Sequence, residues 1–439
     1  MKRIAASVGL VALGASGLQA ADTANLSSMQ GDKPWSVSAT LRGFYDDNIN
    51  TTKNNKVHAF GFEISPSISL GMAGEQTSAS LGYTYSGKYF DHLLGGSTDK
   101  WDHSHTFDAG LSHTFSPQVQ VGVRDSFVVG QEPDVLRSGN TFSTFQRISG
   151  DNKRNYGTIV LNAEVTPLLG FEAAYANSWY DYDASGVTTD LFGNVIPSNS
   201  GTLDRMEHAG HIDSRWHILP QTTGIFGYQY SQTDYQGDES IQGNVLLPAS
   251  LVTSKTRNSR SHYVYAGVEH SFTPDLSGSA KLGAQHIDFF DDPTFKSEWS
   301  PYAQASVRYL YMVESSVEVG VVHQRSASDV VGPSGVQAVG GNFVHDQQAT
   351  TAYGTIKHRI MPNLFGSLTG TFQHSTFNGG GASFNDQTDN FYLVGLNFEY
   401  RFNPHLSAHA GYNYDRLESD LSGRGFTRNR VYIGVTAAY

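Results

Sequence analysis

The chain has 439 residues, 38% of them hydrophobic and 16% charged, with a formal net charge of -12 and no cysteine. The missing cysteine excludes disulfides, thiolate metal sites, a cysteine nucleophile and a lipid-anchor cysteine. The acidic balance argues against nucleic acid as a partner and allows attraction of cations.

From the start, Met1-Lys2-Arg3, an apolar run from Ile4 to Gly17 and a small-residue exit at Ala20-Ala21 read as a signal peptide over residues 1–21. A retained anchor is the alternative, but the run falls short of the ~20 residues that a spanning helix needs. No later apolar stretch approaches that length, which excludes a helical membrane protein. Residues 22–34 are polar and aperiodic and read as a short flexible periplasmic tail. Residues 35–439 read as one domain, too large for a single soluble core and ordinary for a wide barrel.

That domain is a hairpin array. Eighteen strands are expected at 35–46, 57–72, 77–91, 103–116, 119–130, 154–166, 170–182, 204–217, 223–235, 259–272, 277–290, 299–312, 315–326, 347–360, 365–377, 389–402, 407–418 and 427–439. Apolar and polar residues alternate along them, the strand period of two. Val431, Ile433, Val435, Ala437 and Tyr439 fall on one face of the last strand; Arg428, Arg430, Tyr432 and Thr436 fall on the other. Short connections such as Thr166-Pro167-Leu168 and Thr273-Pro274-Asp275 alternate with long ones rich in Gly, Asp, Asn and Ser. Proline suits the second position of a tight turn. Short turns on one rim and long loops on the other mark a transmembrane barrel. An even strand count places both termini on the short-turn rim, expected to be periplasmic. The alternative is a soluble sheet protein, which would still have to cover its edges. Two residues interrupt the outward series: Asp125 and His358 call for a rim position or a bulge.

The opposite parity is polar. It carries Arg42, Glu63, Asp108, Arg124, Glu164, Glu172, Asp213, Arg215, Glu269, Lys281, Arg308, Glu318, Lys357, Arg359, Glu399, Arg401, Arg428 and Arg430. Lipid would charge roughly 2–4 kcal/mol for each of the basic ones at the midplane, so they are expected to line an aqueous lumen, which eighteen strands are wide enough to leave. Acidic residues dominate strands two to ten. Basic residues dominate strand eleven onward and strand one. Two readings stay open: facing walls of opposite charge, with Arg42, Arg401, Arg428 and Arg430 as neighbours in water across the closing seam, or ion pairs between adjacent strands.

The loops 131–153, 183–203, 236–258 and 327–346 are long enough to fold inward. The first of these mixes Glu132, Asp134, Arg137, Arg147, Asp151 and Lys153, which suits a constriction; an exposed loop is the plainer reading. Metal readings are weak. His103 and His105, near Asp99 and Asp102, offer a transition-metal set. Asp291 and Asp292, with Asp288 and Glu298, offer oxygens for Ca²⁺. No serine lies in a nucleophile motif such as G-x-S-x-G, so an enzyme is disfavoured and no cofactor is called for.

The opening stretch Lys33-Pro-Trp-Ser-Val-Ser-Ala-Thr-Leu-Arg-Gly-Phe-Tyr-Asp-Asp-Asn48 and the terminal Tyr439 resemble the β-barrel porin 2-like outer-membrane family of Gram-negative bacteria. The resemblance implies a porin-like channel, names no solute and brings no active-site residues. Tyr439 resembles the signal that barrel-assembly machinery reads. The expected partners are outer-membrane lipid and lipopolysaccharide, that machinery, small hydrophilic solutes and, as for many porins, two further copies in a homotrimer. The expected activity is passive diffusion with a weak preference for cations. A structural or adhesive barrel, with a salt-bridged interior and acidic loops that bind cations or lipopolysaccharide, is the alternative.

Overall fold

A strand with one apolar and one polar face is stable only where both faces are served and neither edge is left bare. The chain meets both demands by closing on itself. The computed structural model describes residues 33–92, 100–132, 141–147, 152–183, 186–292, 295, 297–330, 343–381 and 384–439. The signal peptide over 1–21 and most of the tail over 22–34 lie outside the described residues.

Eighteen antiparallel strands form one closed sheet. They are β1 (Trp35–Asp46), β2 (Ala59–Ala73), β3 (Thr77–Phe90), β4 (Trp101–Ser116), β5 (Val119–Gly130), β6 (Asn152–Thr166), β7 (Leu169–Tyr182), β8 (Arg205–Leu219) and β9 (Thr222–Tyr235), followed by β10 (Ser259–Thr273), β11 (Leu276–Asp288), β12 (Glu298–Met312), β13 (Ser315–Ser326), β14 (Val344–Met361), β15 (Leu364–Gly379), β16 (Thr388–Asn403), β17 (Leu406–Ser419) and β18 (Phe426–Ala438). Each pairs with the next in the chain. β18 returns to β1 in a register running from Ser38↔Ala438 to Asp46↔Arg430. The expected segments and these strands differ by a few residues at their ends.

The faces follow the alternation. In β1, Trp35, Val37, Ala39 and Leu41 point out, and Ser36, Ser38, Thr40 and Arg42 point in. The inward hydroxyls bond across strands: Ser36 to Ser69 at 2.6 Å, Ser38 to Ser67 at 2.7 Å and Thr40 to Thr436 at 2.8 Å. The outer surface is a band of large apolar side chains left uncovered, with Leu81 58%, Leu282 67% and Ile433 69% exposed. A soluble surface scatters such residues; a continuous belt of them marks a membrane-facing surface. No helix among the described residues is long and apolar enough to cross a membrane.

Turn chemistry sets the short rim. Thr166 Oγ1 accepts from the amides of Leu168 and Leu169 at 3.2 and 3.0 Å. Thr273 does the same for Asp275 and Leu276 at 3.3 and 3.0 Å. The hydroxyl before each proline thus closes the turn that the proline opens. Met312-Val313-Glu314 has no proline, and there Glu314 takes φ 56°, a left-handed value that costs a non-glycine residue. The long connections hold structure that the alternation did not announce. Residues 183–203 carry the hairpin Thr188–Thr189/Val195–Ile196 and a short helix Asn199–Leu203. Residues 236–258 carry the hairpin Ser240–Asn244/Leu247–Thr253.

Neither outward polar residue marks a shift of register. The pairing of β5 with β6 runs unbroken from Val119 to Gly130, so Asp125 stays outside, where Asn155 Nδ2 donates to it at 3.1 and 3.0 Å. His358 also stays outside and shares a hydrogen bond with the Tyr311 hydroxyl at 2.9 Å.

Both termini meet on the short-turn rim. The Val37 amide donates to the Tyr439 carbonyl at 3.1 Å and the Tyr439 amide to the Val37 carbonyl at 2.9 Å. The Tyr439 ring lies 5.9 Å from Trp35 and 6.1 Å from His405 between centroids, and Lys33 Nζ sits 3.6 Å over it. One residue therefore carries the last backbone bonds of the seam and its aromatic clasp. Tyr439→Ser is expected to lower the heat-modifiable, folded fraction in outer-membrane preparations several-fold without lowering synthesis. Wild-type folded levels in that gel assay would remove the role of the clasp.

Candidate functional site

The inner wall is where parity places charge. Arg42, Glu63, Asp108, Arg124, Glu164, Glu172, Asp213, Arg215, Glu269, Lys281, Arg308, Lys357, Arg359, Arg401, Arg428 and Arg430 all take the inward face of their strands. Most are brought together as ion pairs. Arg42 meets Glu63 at 3.3 Å, Arg215 meets Glu269 at 2.5 Å, and Lys281 meets Asp213 at 2.7 Å. His217 meets Glu164 at 2.9 Å and Arg359 meets Glu314 at 2.7 Å. Arg308 stands opposite Glu318 in the β12–β13 register. Arg124 takes the inward face and is exposed.

The reading of two facing walls of free charge is corrected by these contacts. Arg401 is held by Glu399 at 2.9 Å, Arg430 by Asp415 at 2.6 Å, and Arg428 by Asp46 at 2.6 Å and Glu132 at 3.0 Å. The physical reason is reach. A guanidinium extends over neighbouring strands, so a basic arc draws in carboxylates from the strand ends and from the loops. Asp46, Asp346, Asp389 and Asp415, and with them Arg205, Arg257, Arg325 and Arg424, are absent from the expected set because they lie near or beyond the upper strand ends, while Asp102 and Arg147 are expected there in other roles. Carrying the inward parity upward catches Asp46, Asp389, Asp415 and Arg205; Arg325 and Asp346 stand on the opposite parity of β13 and β14, next to the register shift between Val344 and Asp346.

The second feature is a chain segment that crosses the lumen. Residues 141–147, between β5 and β6, lie against the inner face of the far wall. The Phe142 amide donates to Gln373 Oε1 at 2.7 Å, and its carbonyl accepts from Gln373 Nε2 at 2.8 Å and Gln347 Nε2 at 2.7 Å. Phe142 and Phe145 bury their rings among Phe391, Leu393, Leu417 and Phe426, with Phe145 and Phe391 stacked at 4.5 Å. On the other side Arg205 of β8 donates to Ser143 Oγ at 2.8 Å. Arg147 closes the span on Asp102 of β4 at 2.9 Å. Strands β8 and β15 stand on roughly opposite sides of the ring, so the segment reaches from wall to wall. Four apolar side chains at the inward parity of β16, β17 and β18 break the polar rule there, and the loop explains why.

A further layer ties in the connection between β13 and β14. Asp329 accepts from Arg424 at 2.6 Å, and Arg424 also binds Asp389 at 2.7 Å. Arg257 donates to the carbonyls of Thr202, at 2.9 Å, and Ser328. Arg325 binds Asp346 at 2.7 Å and also Glu298. Of the loop 131–153, the segment 141–147 is the part placed across the ring, and residues 328–330 bind beside it. Of its charges, Glu132 and Arg147 take part, Lys153 points outward to Asp181 at 3.2 Å, and Asp134, Arg137 and Asp151 lie outside the described residues.

Residues 249–439 match the model of a family described as putative beta-barrel porin 2. The matched part contains the closing strand and Tyr439; the opening strand lies outside it. No curated protein matches the chain. Among solved structures, the outer-membrane protein OpdK of Pseudomonas aeruginosa is similar at 11% identity over 92% of this chain and 99% of its own, with a TM-score of 0.43. OccAB4 of Acinetobacter baumannii is similar at 11% identity over 93% and 99%, again with a TM-score of 0.43. Likeness at that level says nothing of solute. With its closed sheet and apolar belt, the chain is a transmembrane β-barrel, similar over residues 249–439 to that porin family.

In this barrel neither metal set suggested by the sequence assembles among the described residues. His103 and His105 face outward, bonded to the hydroxyls of Tyr85 at 2.7 Å and Tyr83 at 3.0 Å, while Asp102 turns inward to Arg147; Asp99 lies outside the described residues. Odd and even residues of one strand cannot share a face. The acidic run is likewise dispersed. Asp288 binds Arg260, Asp291 accepts from Asn258 at 2.7 Å, Asp292 pairs with His345 at 2.7 Å, and Glu298 goes to Arg325.

Glu132 links Arg147 of the crossing segment, at 3.7 Å, to Arg428 of β18, at 3.0 Å. Burial opposes its ionisation, but the charges of Arg428 and Arg147 outweigh burial and hold the carboxyl well below the usual carboxylate range. A carboxyl depressed by folding contributes stability that is fully present above its unfolded value, about 4.3, and is lost as pH falls through the folded one. Two outcomes are expected. Arg428→Met leaves Asp46 and Glu132 without their buried partner, which costs roughly 3–5 kcal/mol and should lower the urea midpoint of the folded barrel. Bilayer conductance should step up well below about pH 4, and Glu132→Gln should diminish that step. An acid step of unchanged size in Glu132→Gln would place the release elsewhere.

Proposed function

We propose that the barrel is a loop-constricted channel through which small hydrophilic solutes diffuse passively, with a weak preference for cations. The observation that carries this reading is a lumen whose wall is charged and hydrogen-bonded from rim to rim, crossed by one folded-in segment. A packed core would not leave Arg124 exposed inside the ring. Selection then works by the gap beside the crossing segment and by the field of the wall, with no cofactor or energy coupling. Support for cations comes from the net charge of -12 and from pairing that favours acid: Arg424 is matched by two carboxylates, Asp329 and Asp389, and Arg325 by Asp346 and Glu298. We place the short-turn rim and both termini in the periplasm, and the long loops toward lipopolysaccharide.

A second reading draws on the same contacts. Buried ion pairs pin the loops inside the ring, as a closed structural or adhesive barrel would require. Purified protein in planar bilayers separates the two. Discrete conductance steps are expected, with a reversal potential in a salt gradient that shows a modest cation preference. Phe142→Ser with Phe145→Ser removes two buried rings, worth about 1.5–3 kcal/mol each, and should raise the conductance by freeing the segment. A barrel that inserts and never conducts, with or without the two rings, supports the structural reading. A strong anion preference would show that arginine, not carboxylate, governs permeation.

A further inference from the structure

One cluster on the inner wall keeps an uneven count of charges after its ion pairs are made. Glu172 of β7 and His211 and Asp213 of β8 are all buried, and one donor atom from each lies within 4.8 Å of the others. The register Asp213↔Glu172 and His211↔Ala174 puts the three side chains on one face of two adjacent strands. His211 Nε2 lies 3.1 Å from Glu172 Oε1. Asp213 Oδ1 accepts from the Tyr265 hydroxyl at 2.6 Å and Oδ2 from Lys281 Nζ at 2.7 Å. Arg215 lies 3.7 Å from Glu172 and 2.5 Å from Glu269.

The charges do not cancel. Glu172, Asp213 and Glu269 bring three negative charges, and Arg215 and Lys281 bring two positive ones. One negative charge remains, facing an imidazole. The other ring nitrogen of that imidazole, His211 Nδ1, is buried and has no hydrogen-bond partner. The nitrogen that faces Glu172 is Nε2, at 3.1 Å; an ion held there leaves the ring proton on Nδ1, and one imidazole nitrogen beside two carboxylates is a donor set for a cation.

We propose that Glu172, His211 and Asp213 bind a first-row divalent transition ion, with Zn²⁺ as the simplest probe. One nitrogen and two carboxylates suit such an ion. Ca²⁺ needs six to eight oxygens, more than the two carboxylates can supply. The 3.1 Å between His211 and Glu172 fits two neighbouring ligands on an ion held at ~2.0–2.2 Å. Each Asp213 oxygen keeps a lone pair after its one hydrogen bond. Arg215 and Glu269 are partly exposed to the lumen, so the ion enters from the water side and not from lipid. Loading reverses the sign of the leftover charge on this part of the wall, from one negative to one positive.

The test uses the purified, folded barrel in detergent. Calorimetric titration with Zn²⁺ should show one site, absent with Ca²⁺. His211→Gln should weaken it by about tenfold or more, while His103→Gln, on the outer face, should leave it unchanged. Electron paramagnetic resonance of the wild-type barrel with one equivalent of Cu²⁺ should show coupling to a single imidazole nitrogen, a readout that needs no variant to fold. Absence of Zn²⁺ binding, binding undiminished in His211→Gln, or a two-nitrogen copper spectrum of the kind His103 and His105 would give each overturns the proposal.

Discussion

Everything in this barrel depends on the need to pair backbone amides and carbonyls where no water can serve them. In hydrocarbon an unpaired peptide group is too costly to leave, so a sheet that spans a bilayer must close. Closure between β1 and β18 turns eighteen marginal strands into one edge-free object. It also fixes the strand parity around the whole ring, because a slip of one residue would carry every charge into lipid. The polar interior is therefore a consequence of the seam as much as of the individual strands.

That parity was legible in the sequence. Strand positions, the short rim and the inward set from Arg42 to Arg430 follow from a local period of two, and a local period needs no knowledge of neighbours. What the inward residues do with one another was not legible. Arg428 binds Asp46, 382 positions away in the chain, and Glu132, 296 positions away, and only the closed ring brings them together. The metal sets failed for the opposite reason. Asp102 and His103 are adjacent in sequence, and adjacency in a strand sends them to opposite faces.

The crossing segment was legible only as a long loop of mixed charge. Its anchoring rests on Phe142 and Phe145, which sequence alone places in a polar connection, and on Phe391, Leu393, Leu417 and Phe426, which look like faults in the inward pattern. Taken together they are two halves of one apolar contact. The outward surface shows the same logic inverted: Asp125 with Asn155, and Tyr85 with His103, satisfy polar groups on the lipid-facing side by pairing them sideways along the wall.

A wide hollow cylinder is easily flattened, since hydrogen bonds along its wall resist stretching far better than bending. The segment at 141–147 is fastened to Arg205 on one wall and to Gln373 on another. It therefore works as a cross-brace. Squeezing the ring along that diameter must compress the segment, and widening it must pull the Ser143 and Phe142 contacts apart. The segment that crosses the ring also keeps the ring round against the lateral pressure of the surrounding leaflet.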